Sequence, residues 1–524
     1  MKTSIPFIFS IAGHRDLRQE DIPTLKENLK AWLKDYQTCY VNTELILVSA
    51  LSEGADMLVA SIAKELGITL NVMLPYDESE YLSSFKNEES IETFTILKAY
   101  ASRFEILSTD EKMDRFECYE KIGEYLADTS NILLALWDGV ETDYLSGTSA
   151  IVKYARQGFE KNRFDALDGN ALVIMTIPRV SNPDVETDFS LKHECLGKHI
   201  KGQEFVSMLT KIDKLNAETN IGVLKDKSIT KTYMKHFGEK ARKNQLFYKG
   251  YSLTILAFTA IAIICLEIMH IFHKDPFIIG YGLGLFMAFA VYHLLMKKGE
   301  LQDNFVYSRG FAEALRIQNA WNHAGLNKSV AKYYLHNQHY KFVWLKIVLK
   351  NLYYLDKKPF NPYGVEFSIK GWIDGQILYF KEKSLERHKK LEFFEFVEKI
   401  FYFLGLIVLV LIFCFYALEY FADASDKKLF KSIWHTLVLV SGVSFMFATI
   451  IGEKYLKIVG YEEEIYHFNI MHGNFIEAKK VLDNLDEKSE EYRAIVYDLG
   501  IKALHENRTW VVFHDKFRAE PGFE

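Results

Sequence analysis

Four long apolar stretches, at about 251–273, 276–296, 400–421 and 432–451, constrain this chain more than any short motif in it. A helix rises about 1.5 Å per residue and the hydrocarbon layer is about 30 Å thick, so roughly 20 apolar residues make one span. All four stretches reach that length and predict two membrane hairpins. The first hairpin turns at 273–276 and the second at 422–431. Lys240, Arg242, Lys243 and Lys249 precede the first span, Lys297 and Lys298 follow the second, and residues 387–390 lead toward the third. Basic flanks of this kind place the hairpin ends, and with them both termini, on the cytoplasmic side. Phe247, Tyr248, Tyr251, Phe401, Tyr402, Tyr416 and Tyr420 fall near the expected interfaces, where aromatic rings are favoured. Length, flanking charge and these rings argue against the competing reading, buried helices of one large soluble core.

The residues before the first span have a different rhythm. Short apolar runs at 6–11, 44–49, 69–74, 104–107, 131–137 and 171–177 alternate with helical patterns at 21–36, 56–66, 113–128 and 149–157. Continuous apolar strands between helices predict a parallel sheet covered on both faces. The fold expected is therefore an α/β Rossmann-like N-terminal domain followed by an all-α membrane region. Its divisions are 1–182 (the α/β domain), 183–248 (a helical connector), 249–298 (the first hairpin), 299–399 (a cytoplasmic helical segment), 400–452 (the second hairpin) and 453–524 (a C-terminal helical segment). Amphipathic helices are expected at 311–321 and 330–349, and a short final strand at 510–513. The N-terminal stretch reads as a first buried strand rather than a secretory signal.

A net charge of −6 gives the whole chain no basic bias toward nucleic acid. The five cysteines show no Cys-x-x-Cys spacing, so neither a zinc site nor a redox pair is indicated and no metal is expected.

Candidate chemistry collects at the turns that follow the strands, where open parallel sheets bind ligands. The candidate ligand-binding residues are Gly13, His14, Arg15, Ser52, Glu53, Gly54, Asp56, Pro75, Asp138, Gly147, Thr148 and Ser149. Gly13 and Gly54 allow backbone to approach a ligand closely. Arg15 offers a two-pronged contact to phosphate. Gly147, Thr148 and Ser149 open a helix whose first N–H groups and positive dipole end attract an anion. Asp138 or Asp56 can accept from a ribose hydroxyl. Taken singly these are ordinary caps and turn residues; five such turns at strand ends point together to a nucleotide-type pocket. Within the spans, Glu267 and His293 either line a polar path or lie at membrane boundaries, and Glu419 reads as a boundary residue. Gly280, Gly282 and Gly284 permit close helix approach, and Ser441 and Ser444 can bond between helices.

The turns Gly13-His14-Arg15, Ser49-Ala50-Leu51-Ser52-Glu53-Gly54-Ala55-Asp56, Leu74-Pro75 and Ser146-Gly147-Thr148-Ser149 resemble the SLOG superfamily over residues 1–180. That superfamily groups Rossmann-like nucleotide-binding domains, the Lonely Guy phosphoribohydrolases among them. The resemblance implies a nucleotide-derived ligand. Those enzymes carry a Pro-Gly-Gly-x-Gly-Thr-x-x-Glu pattern; here Ile151 or Val152 stands where the glutamate would be, so no catalytic residue is assigned and a sensor is favoured over a hydrolase. Residues 311–318, Trp321, 324–326 and 506–510, with the hairpins, resemble the SLATT group of membrane effectors in bacterial defence systems, although the usual unit has one hairpin and this chain has two.

The resemblances imply a homo-oligomeric effector in the bacterial inner membrane. It would sense a nucleotide or oligonucleotide signal made by a partner nucleotidyltransferase and gate a pore in the lipid bilayer, in antiphage defence. A membrane-anchored hydrolase of a nucleotide or NAD derivative, with Glu53, Asp56 and Asp138 as candidate carboxylates, is the alternative. A regulated transporter with a mid-membrane site is a second.

Overall fold

The computed structural model describes residues 4–108, 114–157, 170–196, 202–219, 228–272, 275–297, 300–334, 343–356, 369–420, 427–450, 456 and 460–516. The chain divides into two compact units. The first comprises Met1–Thr232 and Lys328–Lys357, the second Tyr233–Asn327 and Lys358–Glu524.

The first unit is built on β1 (Phe7–Gly13), α1 (Ile22–Cys39), β2 (Leu45–Ser49), α2 (Ala55–Glu65), β3 (Thr69–Leu74), α3 (Glu78–Leu82), α4 (Glu88–Tyr100), β4 (Arg103–Ile106), α5 (Arg115–Thr129), β5 (Ile132–Trp137), α6 (Thr148–Gln157), β6 (Ala171–Thr176), β7 (Leu191–Cys195) and α7 (Gly202–Glu218). The strands form one sheet in the order β4-β3-β2-β1-β5-β6-β7. The six strands β1 to β6 pair in parallel, as their continuous apolar runs predict. β7 is antiparallel to β6, which makes the sheet mixed and corrects the all-parallel expectation.

Alternation along β1 separates the two faces. Phe9 meets Trp32 and Tyr36 of α1 edge-on at ring separations of 5.6 and 5.2 Å. On the other face Ile8, Ile46, Val48 and Met73 bury against Ile122 and Leu126 of α5, while Ala12, Leu133 and Leu172 bury against Ile151 and Val152 of α6.

A helix from far along the sequence, α11 (Val343–Asp356), completes this unit. Asn351 donates to Pro6 O at 2.7 Å and to Asn131 Oδ1 at 2.8 Å, and Asn131 donates in return at 3.0 Å. Tyr354 Oη accepts from Asn71 Nδ2 at 2.7 Å. The Arg103 guanidinium donates to the carbonyls of Tyr354 and Leu355, at 2.9 and 2.8 Å, and so satisfies the end of α11 while opposing its negative dipole. Pro6, Asn71, Arg103 and Asn131 all stand at the amino ends of their strands. On α7, Asn216 bonds to Ile5, and Asp213 accepts from Asn42 and Thr43 ahead of β2, so α7 holds this edge too. The helix expected at 330–349 is thus a 3-10 turn at Val330–Lys332, begun by the Ser329 side chain, and then α11; residues 335–342 lie outside the described residues.

The second unit is helical: α8 (Ile229–Phe272), α9 (Phe277–Ala290) continuing as a π-helical segment Val291–Lys297, α10 (Leu301–His323), α12 (Gly371–Tyr420), α13 (Lys427–Thr449), α14 (Tyr461–Leu482) and α15 (Glu490–Lys516), with α8 starting in the first unit. Three stretches are long and apolar enough to cross a membrane, within Ile229–Met269, within Phe277–His323 (residues 298–299 of which lie outside the described residues) and within Gly371–Leu418. The fourth expected span corresponds to the shorter apolar helix Ile433–Thr449.

Of the glycines expected at helix contacts, Gly280 and Gly284 are at them, whereas a Cβ on Gly282 would meet nothing within 4 Å. A Cβ on Gly284 would lie 2.9 Å from Ala262 Cβ, and one on Gly280 2.8 Å from Cys265 Sγ, so α9 rests directly on α8. Ser441 Oγ donates to Gly405 O at 3.3 Å across α13 and α12, whereas Ser444 bonds within its own helix to Val440 O. Residues 510–513, expected as a strand, lie inside α15; there Trp510 and Val511 are buried, and Trp510 meets Phe305 at 5.5 Å.

Candidate functional site

The strand order reverses between β1 and β5, the position where a doubly wound sheet opens a crevice at its carboxyl edge. Gly13 and His14 end β1, and Asp138 follows β5. Two glycines set the crevice wall. Gly54 has φ +80°, and a Cβ there would fall 2.4 Å from Arg15 O; a Cβ on Gly13 would fall 2.3 Å from Ala55 Cβ. The turn after β1 therefore lies directly on the first turn of α2, closed by Ala55 N–H donating to His14 O at 3.1 Å. Leu51, just upstream, has φ +52°, a left-handed conformation that costs a branched residue energy.

His14 and Asp138 meet. His14 Nε2 lies 3.1 Å from Asp138 Oδ1 and 3.2 Å from the Asp138 amide nitrogen. Only one of these can be a hydrogen bond, because Nε2 either donates or accepts. Arg179 Nη1, which can only donate, is 3.4 Å from Nδ1. The carboxylate, which only accepts, and Arg179, which only donates, favour a proton on Nε2, while the Asp138 N–H, which also only donates, favours the lone pair there. Burial lowers the His14 pKa, with Arg179 acting in the same sense and Asp138 opposing, so the ring is neutral at pH 7.

Asp138 accepts from Asn182 Nδ2 at 3.1 Å and from Val140 N–H at 3.2 Å. Arg179 Nε is 3.0 Å from Oδ2 but off the line of a hydrogen bond, so that contact is Coulombic. Burial alone would raise the Asp138 pKa; Asn182, Val140 and His14 outweigh it and hold the carboxyl below its usual range. Asp16 binds Ser181 N–H at 3.1 Å and fixes the same loop. The network clamps residues 179–182 over the ends of β1 and β5.

A second group stands beside it. Arg15 Nη2 donates to Tyr119 Oη at 3.1 Å, with its guanidinium carbon 5.9 Å from the Tyr119 ring centre. Tyr119 Oη is 3.0 Å from Tyr76 Oη, and the Arg115 guanidinium lies 5.8 Å from the Tyr76 ring. Under this shelf Asp56 is buried; Ser52 N–H donates to it at 3.4 Å, and desolvation, opposed by the Ser52 side chain and backbone and by Arg15, raises its pKa to about 7. The Tyr81 hydroxyl, fully buried nearby, has no hydrogen-bond partner among the described residues. The arrangement offers one half-buried guanidinium and a phenol pair, suited to an anion attached to a ring.

Other expected residues do different things. Glu53 turns its carboxylate to Lys86 N–H at 2.8 Å. Pro75 is buried at the end of β3 and serves to present Tyr76. Gly147 has φ +92° and precedes α6; Thr148 is buried, and Ser149 Oγ accepts from Thr142 N–H at 3.0 Å, bracing its own loop. In the second unit Glu267 and His293 are both partly buried, and His293 lies 4.2 Å from the Phe289 ring within the π-helical segment.

Arg179, Asn182 and Tyr119 were not anticipated from sequence. Arg179 stands three residues beyond β6, and the strand-end rule that selected Asp138 would have found it. Tyr119 sits on a helix and gave no such signal. The chain matches no protein-family model and no curated protein.

Proposed function

We propose that this protein is a membrane effector of the SLOG and SLATT-like type. Its N-terminal unit takes a nucleotide-derived signal at the crevice between β1 and β5, and occupancy gates four helices in the bacterial inner membrane. In this reading the protein works as a homo-oligomer with both termini cytoplasmic, in antiphage defence, and a nucleotidyltransferase supplies the ligand.

The observation that carries the reading is the half-buried Arg15 with Tyr119 and Tyr76 at the carboxyl edge, in a chain that also has helices of membrane-spanning length. A ligand shifts such an equilibrium only through its different affinities for the two states. The hydrolase reading has less support. Glu53 and Asp138 already accept hydrogen bonds from their own unit, and Asp56 is buried, so none of these carboxylates is free to handle a substrate proton.

The test is dye release from liposomes carrying the full chain, on addition of ADP-ribose, NAD, cyclic dinucleotides or short oligonucleotides. One of these triggers release, and Arg15→Ala weakens the response at least about tenfold, as expected for loss of a charge-assisted contact. No release with any of them, together with cell toxicity from the soluble unit alone, would sink the proposal. Base release from NAD without dye release would point to the hydrolase.

A further inference from the structure

The second unit holds a cavity of about 30 Å³, open at one side and lined by polar groups of Arg309, Glu313, Gln376, Tyr379, Glu506 and Asn507 within aromatic walls. One water needs roughly 10–15 Å³ on this measure, so the space suits a water or two and excludes an organic ligand. No hydrogen bond or ion pair reaches the Glu506 carboxylate among the described residues.

Its neighbours already have partners. On α10, Arg309 donates to Tyr379 Oη of α12 at 3.2 Å and lies 4.4 Å from the Trp510 ring centre; Glu313 is paired with Arg316. On α14, Glu464 is ion-paired with Arg387 of α12. On α15 itself, His514 Nδ1 donates to Trp510 O at 2.9 Å; its ring, held neutral by burial with a pKa of about 4, sets Nε2 3.8 Å from Glu464. Among the described residues Glu506 thus feels one cation, Arg309, and two other carboxylates, Glu313 and Glu464; Lys249 of α8 acts in turn on Arg309 and Glu464.

We propose that the Glu506 carboxyl group is a proton-binding site, and that loss of its proton loosens α15 from α10. The protonated form suits a small cavity that Glu313 also lines, with the Glu464 carboxylate close enough to act on it. The ionised form must draw in water or pull on Arg309, which is already bound to Tyr379 and Trp510. Desolvation raises the Glu506 pKa to about 7; Arg309 opposes the rise, and Glu313 and Glu464 add to it. Some exposure through the cavity mouth tempers that desolvation without removing it. The closed packing binds a proton that the opened segment releases, so closure is favoured at low pH. That advantage is lost as pH rises from about 4.5 through about 7.

Amide exchange over 490–516, measured on the full chain in lipid nanodiscs between pH 5 and 8 and corrected for intrinsic rates, reads this directly. Protection in the wild type falls about tenfold per pH unit inside the window, whereas Glu506→Gln holds protection constant. Glu313→Gln folds with the same cavity and moves the wild-type midpoint to lower pH by removing one like charge. Wild-type protection that ignores pH, a Glu506→Gln profile that tracks the wild type, or an unmoved midpoint in Glu313→Gln would each overturn the proposal.

Discussion

His14 Nε2 stands 3.1 Å from Asp138 Oδ1, and through this contact the end of β1 is tied to the end of β5 across the point where the strand order reverses. Asp138→Ala would remove the shared acceptor of His14, Asn182 and Val140 and leave the half-buried Arg179 with only Asp16, 3.7 Å from Nη1, as a neighbouring anion. The expected cost is about 3 kcal/mol, near the low end for breaking a buried charged pair, since Arg179 keeps some solvent. Denaturant unfolding followed by circular dichroism measures it. A loss below ~1 kcal/mol would mean that the clamp contributes little.

Gly54 and Gly67 separate conformational strain from collision. Both have positive φ, +80° and +68°, but a Cβ on Gly54 meets backbone oxygens of His14 and Arg15 while one on Gly67 meets nothing within 4 Å. Gly67→Ala is expected to cost about 1 kcal/mol, and Gly54→Ala at least ~2 kcal/mol more, because backbone cannot move aside as a flexible side chain does. Paired thermal melts would show the difference, and equal costs would contradict it.

Asn351 offers a handle on the distant helix. Asn351→Ala deletes the bonds to Pro6 and Asn131 and orphans buried polar atoms, at a cost of about 2–4 kcal/mol. Limited proteolysis is expected to cut at 343–356 well before the sheet in this variant. Simultaneous loss of both would show that α11 is inseparable from the sheet.

Asp56 gives the first unit its own pH dependence. Its folded pKa, raised to about 7 by burial, lies above the ordinary carboxyl value of 3.8. Between these values the folded chain holds a proton that the unfolded chain has released. Stability therefore falls as pH rises through that window, by up to about 1.4 kcal/mol per unit, and levels off above it. Asp56→Asn should flatten the wild-type slope between pH 4.5 and 7 in chemical denaturation, and an unchanged slope would assign it elsewhere.

The sequence announces the elements whose burial is uniform. β1, β2, β3, β5 and β6 are readable because a segment surrounded on all sides must be apolar throughout, whereas β4, with Arg103 and Glu105, is partly exposed at the edge of the sheet. β7 was illegible because Leu191–Cys195 is a half-exposed edge strand carrying Lys192, His193 and Glu194. α3 and α4 were missed because residues 78–100 are rich in exposed charge. The run Trp510-Val511-Val512-Phe513 has strand-like propensity, but helical neighbours on both sides override it. At the candidate site, the glycine turns and the separate candidacies of His14 and Asp138 followed from their places at strand ends; that the two meet did not. The Arg15–Tyr119–Tyr76 shelf did not, because Tyr119 reaches it from a helix remote in sequence. Nothing in the period of 330–356 tells which body that amphipathic helix covers.

The crevice and α11 lie on opposite rims of the same sheet. Its strands are only four to seven residues long, about 13–23 Å at the usual rise. Any coupling between the two rims therefore has to run along strands that are hydrogen-bonded on both sides, and the Asn131–Asn351 pair is where such a path would reach α11.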